Sequence, residues 1–229
     1  IEVPVTIMSV TSVRATLDGR QTQARRVIKP QPPEGLVLWG QNPLGTWWFC
    51  DAETWPDGEP TFSVRCPYGV LGDRLWVQEI WRARDDYCGI GNISTSAQIE
   101  YRADGARIWQ EIPCEQEKWF IKLTPWVNDP STSWRSPIHM PRWASRIMLE
   151  VTGVRVERAQ DIDNADVVQE GIYHDKAGYL VTQGSWAGSL KYDYIGAFRS
   201  LWNSINAKRG YPWDTNPWVW VVEFKVIKP

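Results

Sequence analysis

Hydrophobic positions along this chain recur in two spacings, every second residue and every third or fourth. Strand side chains alternate between faces and helical ones return after about 3.6 residues, so the spacings separate strand from helix candidates. Val10, Val13 and Leu17 make one apolar face of a helix predicted over Val10 to Asp18, with Ser9 as cap and Gly19 as left-handed stop. A short helix is predicted from Asn164 to Glu170, capped by Asp163 and stopped by Gly171. A longer one opens at Asp193, buries Ile195, Phe198, Leu201, Trp202 and Ile205, and ends at Gly210.

Between 36 and 123 the pattern is mostly strand and turn. Leu36–Trp39, Thr46–Phe49, Thr61–Val64 and Trp119–Ile121 are short strand candidates. Arg74 to Trp81 is the clearest, introduced by the turn Leu71-Gly72-Asp73, with Leu75, Val77, Glu79 and Trp81 on one face. Residues 82 to 117 read as an elaborated loop with a weak hairpin, and 125 to 141 as a Pro- and Ser-rich connection. Ile147 to Val156 and Pro217 to Val226 complete the strands, with Trp218 and Trp220 on one core-facing side of the last. Pro30-Gln31-Pro32-Pro33 ends regular structure after the basic segment Gly19 to Arg26. Strands dominate without β–α alternation, which predicts an α+β domain on a small barrel.

Charge narrows the function classes. The 25 Lys+Arg and 27 Asp+Glu give a net charge of -2, which excludes wholesale electrostatic binding to nucleic acid or acidic membrane. Binding must come from a local patch. Arg14, Arg20, Arg25, Arg26 and Lys29 face Asp18 alone, which makes them candidates for phosphate contacts, with internal ion pairing as the alternative. The 16 Trp against 5 Phe predict stacking surfaces as well as core. Trp76 and Trp81 point to opposite faces of their strand, and one is a candidate platform for a base, with core packing as the bland reading. Glu79 shares its face with apolar residues, so it needs a partner, and an arginine of the basic segment is the expected one.

No stretch approaches the roughly 18 apolar residues of a membrane-spanning helix. The N-terminus shows no signal-peptide pattern, and Met8 is a candidate start. Cysteines 50, 66, 88 and 114 lack zinc-knuckle spacing and read as four free thiols in a reducing, cytoplasmic compartment. A Cys50–Cys66 bridge or a composite metal site with His139 or His174 is the alternative. No metal or cofactor is expected, and the two histidines read as structural or surface residues.

The order of several motifs carries a resemblance. A helix ends in Gly19-Arg20-x-Thr22, Gly72-Asp73-x-Leu75-x-Val77 follows, and a strand carries Glu150-Val151-Thr152. A short helix ends in Gln169-Glu170-Gly171, and the last strand carries Val221-Val222-Glu223-Phe224. This resembles the ASCH family of the PUA-like superfamily, above all its larger phage- and prophage-encoded forms. The resemblance implies a single domain over 1–229, a PUA-like small β-barrel with a few flanking helices and insertions near 36–66 and 82–141. It also implies a cleft for RNA, single-stranded nucleic acid or a modified nucleobase, lined by Arg20, Gln21, Thr22, Arg25, Arg26 and Glu170, with Trp76 and Glu79 as further candidates. Relatives that deacetylate acetylcytidine carry Gly-Arg-Lys-Thr-x-Thr and a Glu near the short helix. Gln21 and Ala24 stand here where the catalytic Lys and second Thr would be, and Glu170 keeps the third position. Gln21 cannot titrate and Ala24 has no hydroxyl, so the chain is expected to bind rather than hydrolyse. The alternatives are an amidohydrolase acting through Glu170 on an acylated nucleoside, and a phage protein-interaction module built on the Trp-rich insertions.

Overall fold

A computed structural model describes residues 2–4, 8–87, 95–112, 134–175, 180–182, 185–186 and 193–227. In chain order the elements are β1 (Glu2–Pro4), α1 (Val10–Leu17), β2 (Gln23–Val27), β3 (Leu36–Gln41), β4 (Thr46–Asp51), β5 (Phe62–Arg65) and β6 (Arg74–Trp76). Then come β7 (Trp81–Tyr87), β8 (Thr95–Tyr101), β9 (Arg107–Ile112), β10 (Met148–Arg158), α2 (Asn164–Gln169), β11 (Tyr173–His174) and β12 (Leu180–Thr182). β13 (Ser185–Trp186), α3 (Tyr194–Asn206) and β14 (Trp218–Ile227) follow. The fold is mixed α+β, mostly strands, and one sheet forms a half-barrel. Backbone contacts divide the chain into two compact units, residues 1–3, 15–75 and 149–227, and residues 4–14, 76–148 and 228–229.

The first unit is organised by β14. Its sheet has the order β1-β6-β10-β14-β2, and residues Trp218 to Val222 are all buried. Alternation sends Trp218 and Trp220 to one face and Val219 and Val221 to the other. On the first face the meander β3-β4-β5 brings Phe49 to 5.2 Å from Trp218 and Trp47 to 6.1 Å from Trp220, both edge-on. On the second face Val219 and Val221 join Phe198, Trp202, Val167, Ile172 and Leu180 in one apolar cluster. Each Trp buries about 200 Å², worth roughly 5 kcal/mol in transfer terms, against about 1 kcal/mol for the aromatic geometry itself. Burial, not ring orientation, therefore fixes this strand. Residues 36–66 thus cover one face of the main sheet.

Caps and stops follow the sequence. The Ser9 hydroxyl accepts from Ser12 N–H at 3.1 Å, Asp163 caps α2, Asp193 caps α3, and Gly19, Gly171 and Gly210 have positive φ. Two helix faces are narrower than predicted. Leu17 is exposed, because the chain turns back so that Arg20 and Gln21 N–H donate to the Ala15 carbonyl, and Ala15 and Thr16 go inside. Ile205 is exposed as well, and α3 buries Ala197, Phe198 and Trp202, with Ile195 and Leu201 half-buried. The Gly72-Asp73 turn has a local reason. Asp73 Oδ2 accepts from Val70 N–H at 2.9 Å, and Gly72 N–H donates to Val151, which ties the turn to β10.

The expected strand 74–81 divides between β6, which belongs to the main sheet, and β7 of the second unit, yet its alternation persists, with Val77, Glu79, Trp81 and Ala83 buried. The stretch predicted as a loop with a weak hairpin is a three-stranded antiparallel meander, β7-β8-β9. Ala83, Ala97, Ile99 and Ile112 line its inner face with Trp81 and Tyr101, an alternation masked in the sequence by short alanine side chains. The Trp119–Ile121 candidate, Cys88, Cys114 and residues 125–133 of the Pro- and Ser-rich connection lie outside the described residues. Cys50 and Cys66 are free and buried, so they form no bridge, and burial pushes the Cys66 thiol up to about 11.

Glu79 finds a different partner from the one expected. Arg146, on the approach to β10, grips it with Nε at 2.8 Å and Nη2 at 3.0 Å and also binds Asp104, while the Arg146 guanidinium lies 4.1 Å over the Tyr101 ring. Burial pushes the Glu79 carboxyl up, and Arg146 opposes it. Arg146→Ala leaves an uncompensated buried carboxylate, and we expect it to destabilise the protein by about 3–5 kcal/mol in denaturant unfolding at neutral pH. Adding Glu79→Gln should recover much of that loss. No recovery would mean that the guanidinium stack on Tyr101, rather than the charge pair, holds this region. Cys50 and Cys66 should react with a thiol reagent only after unfolding, and modification of either in the folded protein would contradict their burial.

Candidate functional site

After α1 the backbone runs antiparallel to the segment that follows α2. Thr22 N–H donates to the Gln169 carbonyl at 3.0 Å, Gln21 and Glu170 form a β-bridge, and the Arg20 guanidinium stacks 4.3 Å over the Tyr173 ring. Gly171 permits this approach. Its φ is +88°, and a Cβ there would meet those of Gln21 at 3.2 Å and Ala15 at 3.3 Å. Two sequence motifs, Gly-Arg-x-Thr and Gln-Glu-Gly, are thus joined side by side.

The polar residues of β2 and its approach point inward. Gln21, Gln23 and Arg25 are 5%, 0% and 4% exposed, although period-two alternation on a buried face ordinarily selects apolar residues. Ala24 lies on the opposite face. The antiparallel register sets Gln23 beside Glu223 and Arg25 beside Val221 of β14. Arg25 Nη2 binds Glu157 at 2.8 Å and Asp166 at 2.7 Å, and its Nη1 lies 3.6 Å from Glu170 Oε1. Arg155 binds Asp166 at 2.7 Å and Gln23 Oε1 at 3.1 Å, and also pairs with Glu157 and Glu223. Two arginines therefore face four carboxylates.

The carboxylates titrate in opposite directions. Burial pushes the Glu170 carboxyl up to about 7 against the pull of Arg25 and Arg26, and Gln23 lies close enough to lower it somewhat without an ordinary hydrogen bond. Burial also opposes ionisation of Asp166, but the Arg25 and Arg155 contacts outweigh it and hold that carboxyl below its usual range. Four polar atoms of this cluster are buried without a hydrogen-bond partner: Gln23 Nε2, Arg25 Nε, Arg25 Nη1 and Glu170 Oε1. Three donors and one carboxylate oxygen are thus gathered at one place.

The predicted cationic patch is broken up. Arg25 is buried and paired, so it does not present a guanidinium to an exposed phosphate. Arg20 binds Asp18 at 2.7 Å, Arg26 is half-buried and donates to the Arg25 carbonyl, and Lys29 lies 5.5 Å over the Tyr211 ring. Arg14 belongs to the second unit and donates to the Ala103 carbonyl. Thr22 is exposed. Glu79 and Trp76 lie in the second unit, and the Arg142 guanidinium is 6.0 Å from the Trp76 ring. Trp81 is wholly buried, which leaves it no face for stacking a base.

Gln23, Arg155, Glu157, Asp166 and Glu223 complete the cluster and were not anticipated. Their one sequence signal is spacing: Gln21, Gln23 and Arg25, and then Arg155 and Glu157, recur at every second residue inside strands. A separate cavity of about 400 Å³ is bordered by Asn42, Trp47, Val70, Leu71 and Gly153. Its Asn42 carboxamide oxygen is already taken by Leu44 and Thr46 N–H. Among the described residues no group of three or more His, Cys, Asp or Glu could hold a metal, and no helix is long and apolar enough to cross a membrane. No protein-family model, curated protein or solved structure matches the chain.

A carboxyl whose pKa rises on folding from about 4.5 to about 7 takes up a proton as the chain folds at intermediate pH. Its contribution to stability is therefore greatest below about 4.5 and is lost as pH rises through 7. Glu170→Gln should raise the melting temperature at pH 8 and change it little at pH 4. An equal shift at both pH values would show that Glu170 is held ionised by Arg25.

Proposed function

We propose that the protein binds an unpaired or modified nucleobase, carried on RNA or single-stranded nucleic acid or as a free nucleoside, in a PUA-like cleft at the Gln21–Glu170 bridge. The observation that carries this reading is the set of four buried polar atoms that make no hydrogen bond, two of which, Arg25 Nη1 and Glu170 Oε1, face each other as an ion pair at 3.6 Å. Each costs about 1–3 kcal/mol when left unsatisfied. The Arg25–Glu170 ion pair engages two of them only loosely, whereas a ligand edge that accepts from Gln23 and Arg25 and donates to Glu170 gives all four a hydrogen bond together. A cytosine-type edge has that arrangement, an exocyclic amine beside ring and carbonyl acceptors.

The sign of the charge supports the same ligand. Four carboxylates against two arginines repel a phosphate, so the pocket takes the base and leaves the backbone outside. Arg20, Thr22 and Arg26 form the rim at which a sugar or phosphate would pass. The entrance is one β-bridge backed by a six-residue helix, and opening it is the conformational cost of binding. This is the cleft that the ASCH resemblance implies. Neither Gln21 nor Ala24 supplies a nucleophile, so the reading is recognition without hydrolysis.

Titration calorimetry with cytidine, acetylcytidine, uridine, adenosine and guanosine tests it. Cytidine or its acetyl derivative should bind best, and Glu170→Gln should weaken that binding roughly 5- to 150-fold. Acetylcytidine should remain intact after prolonged incubation, and its conversion to cytidine, lost in Glu170→Gln, would replace this reading with hydrolysis. Equal or absent binding of all five nucleosides would overturn the base pocket.

A further inference from the structure

The outer face of the β7-β8-β9 meander carries a different chemistry. Its inner face is filled by Ala83, Ala97, Ile99 and Ile112, and alternation sends Arg82, Gln98, Glu100, Arg107, Trp109 and Glu111 outward. Glu100 is the hub. Its carboxylate accepts from Arg82 Nε at 2.6 Å, from Arg84 Nε and from Arg107 Nη2 at 3.4 Å. The three arginine side chains are 18%, 32% and 53% exposed, while Glu100 is nearly buried beneath them. Burial opposes ionisation of Glu100, but the Arg82 and Arg84 contacts outweigh it, so the hub remains charged at neutral pH.

One carboxylate orients three guanidinium groups without neutralising them. Arg82 and Arg84 bond to it through Nε, so the contact with Glu100 does not use their terminal amino groups. Arg82 also stacks 4.2 Å over the Trp134 ring, and Arg102 approaches the same ring at 5.9 Å. On the edge strand β9, opposite Gln98, Trp109 is 51% exposed. Among the described side chains of this face, four arginines stand against Glu100 and Glu111. An indole beside anchored forked cations complements a chain of alternating flat rings and phosphates.

We infer that this face is a platform for single-stranded nucleic acid, on which Trp109 stacks a base while Arg84 and Arg107 contact neighbouring phosphates. Arg82 is committed to Trp134 and Glu100 and positions the others. The platform does not depend on the base pocket proposed above, since every residue in it belongs to the second unit.

The test is fluorescence anisotropy with a labelled oligouridylate of about 12 nucleotides, repeated over a range of salt. Trp109→Ala should weaken binding roughly 5- to 150-fold and leave the salt slope unchanged. Arg107→Ala should lower the slope of log affinity against log salt by about 0.7, and Arg107→Lys should restore it. Both residues are exposed, so the variants should fold, and circular dichroism checks this. Absence of binding would overturn the platform. Displacement by polyglutamate together with indifference to Trp109→Ala would also overturn it and mark a docking surface for acidic protein. Glu170→Gln should leave oligouridylate binding intact, and Trp109→Ala should leave nucleoside binding intact, so the two sites fail separately. Loss of oligouridylate binding in Glu170→Gln alone would refute the platform and leave the pocket standing.

Discussion

Residues Trp218 to Val222 of strand β14 are buried on both faces, and the first unit depends on that. Trp218 and Trp220 are covered by Phe49 and Trp47, and Val219 and Val221 by the helical side. A strand buried on both sides cannot slip by one residue, because a slip would exchange indoles for valines throughout the core. Its partner β2 inherits that fixed register, from Val27 opposite Val219 to Gln23 opposite Glu223. Gln31 reinforces it from outside the sheet, accepting from Trp218 N–H at 2.8 Å and donating to the Trp218 carbonyl at 2.9 Å. The position of Arg25 under α2 is therefore set by apolar packing rather than by its own ion pairs.

That order of causes bears on the polar cluster. Buried ion pairs are weak sources of stability, since desolvation offsets most of their attraction. A strand that needed only to hold the sheet together would do better with valine at 21, 23 and 25. Glutamine and arginine persist there inside a unit whose stability comes from elsewhere. Local rules are broken in this way where a protein keeps chemistry at the expense of packing.

The elements were legible where their signals are local. The Ser9, Asp163 and Asp193 caps, the Gly19, Gly171 and Gly210 stops, and strands β3, β4, β5, β10 and β14 follow from residues adjacent in sequence. Charge partners were not, because they join residues far apart: Arg25 meets Glu157 and Asp166, and Glu79 meets Arg146 in place of the basic segment. The same limit left the five cations between residues 14 and 29 open to reading as a phosphate-contacting patch or as internal ion pairs, and strand alternation turns Arg25 inward. The β7-β8-β9 meander was missed because alanines at 83 and 97 give a weak apolar signal, although they lie in the core. Glu170 was legible only through the Gln169-Glu170-Gly171 motif that the resemblance rests on. Its burial and its arginine neighbour became visible only with the fold.

Helix α2 has only six residues, far below the about 12–15 at which a helix is even marginal by itself in water. Val167 anchors it in the apolar cluster, and Asp166 holds it to two arginines from two different strands. The helix is thus a product of tertiary charge pairing as much as a positioner of charged groups. Whatever separates Asp166 from Arg25 and Arg155 releases a turn of secondary structure with it. The Gln21–Glu170 bridge and the helix that precedes it consequently share their anchors, so local opening of one draws the other with it.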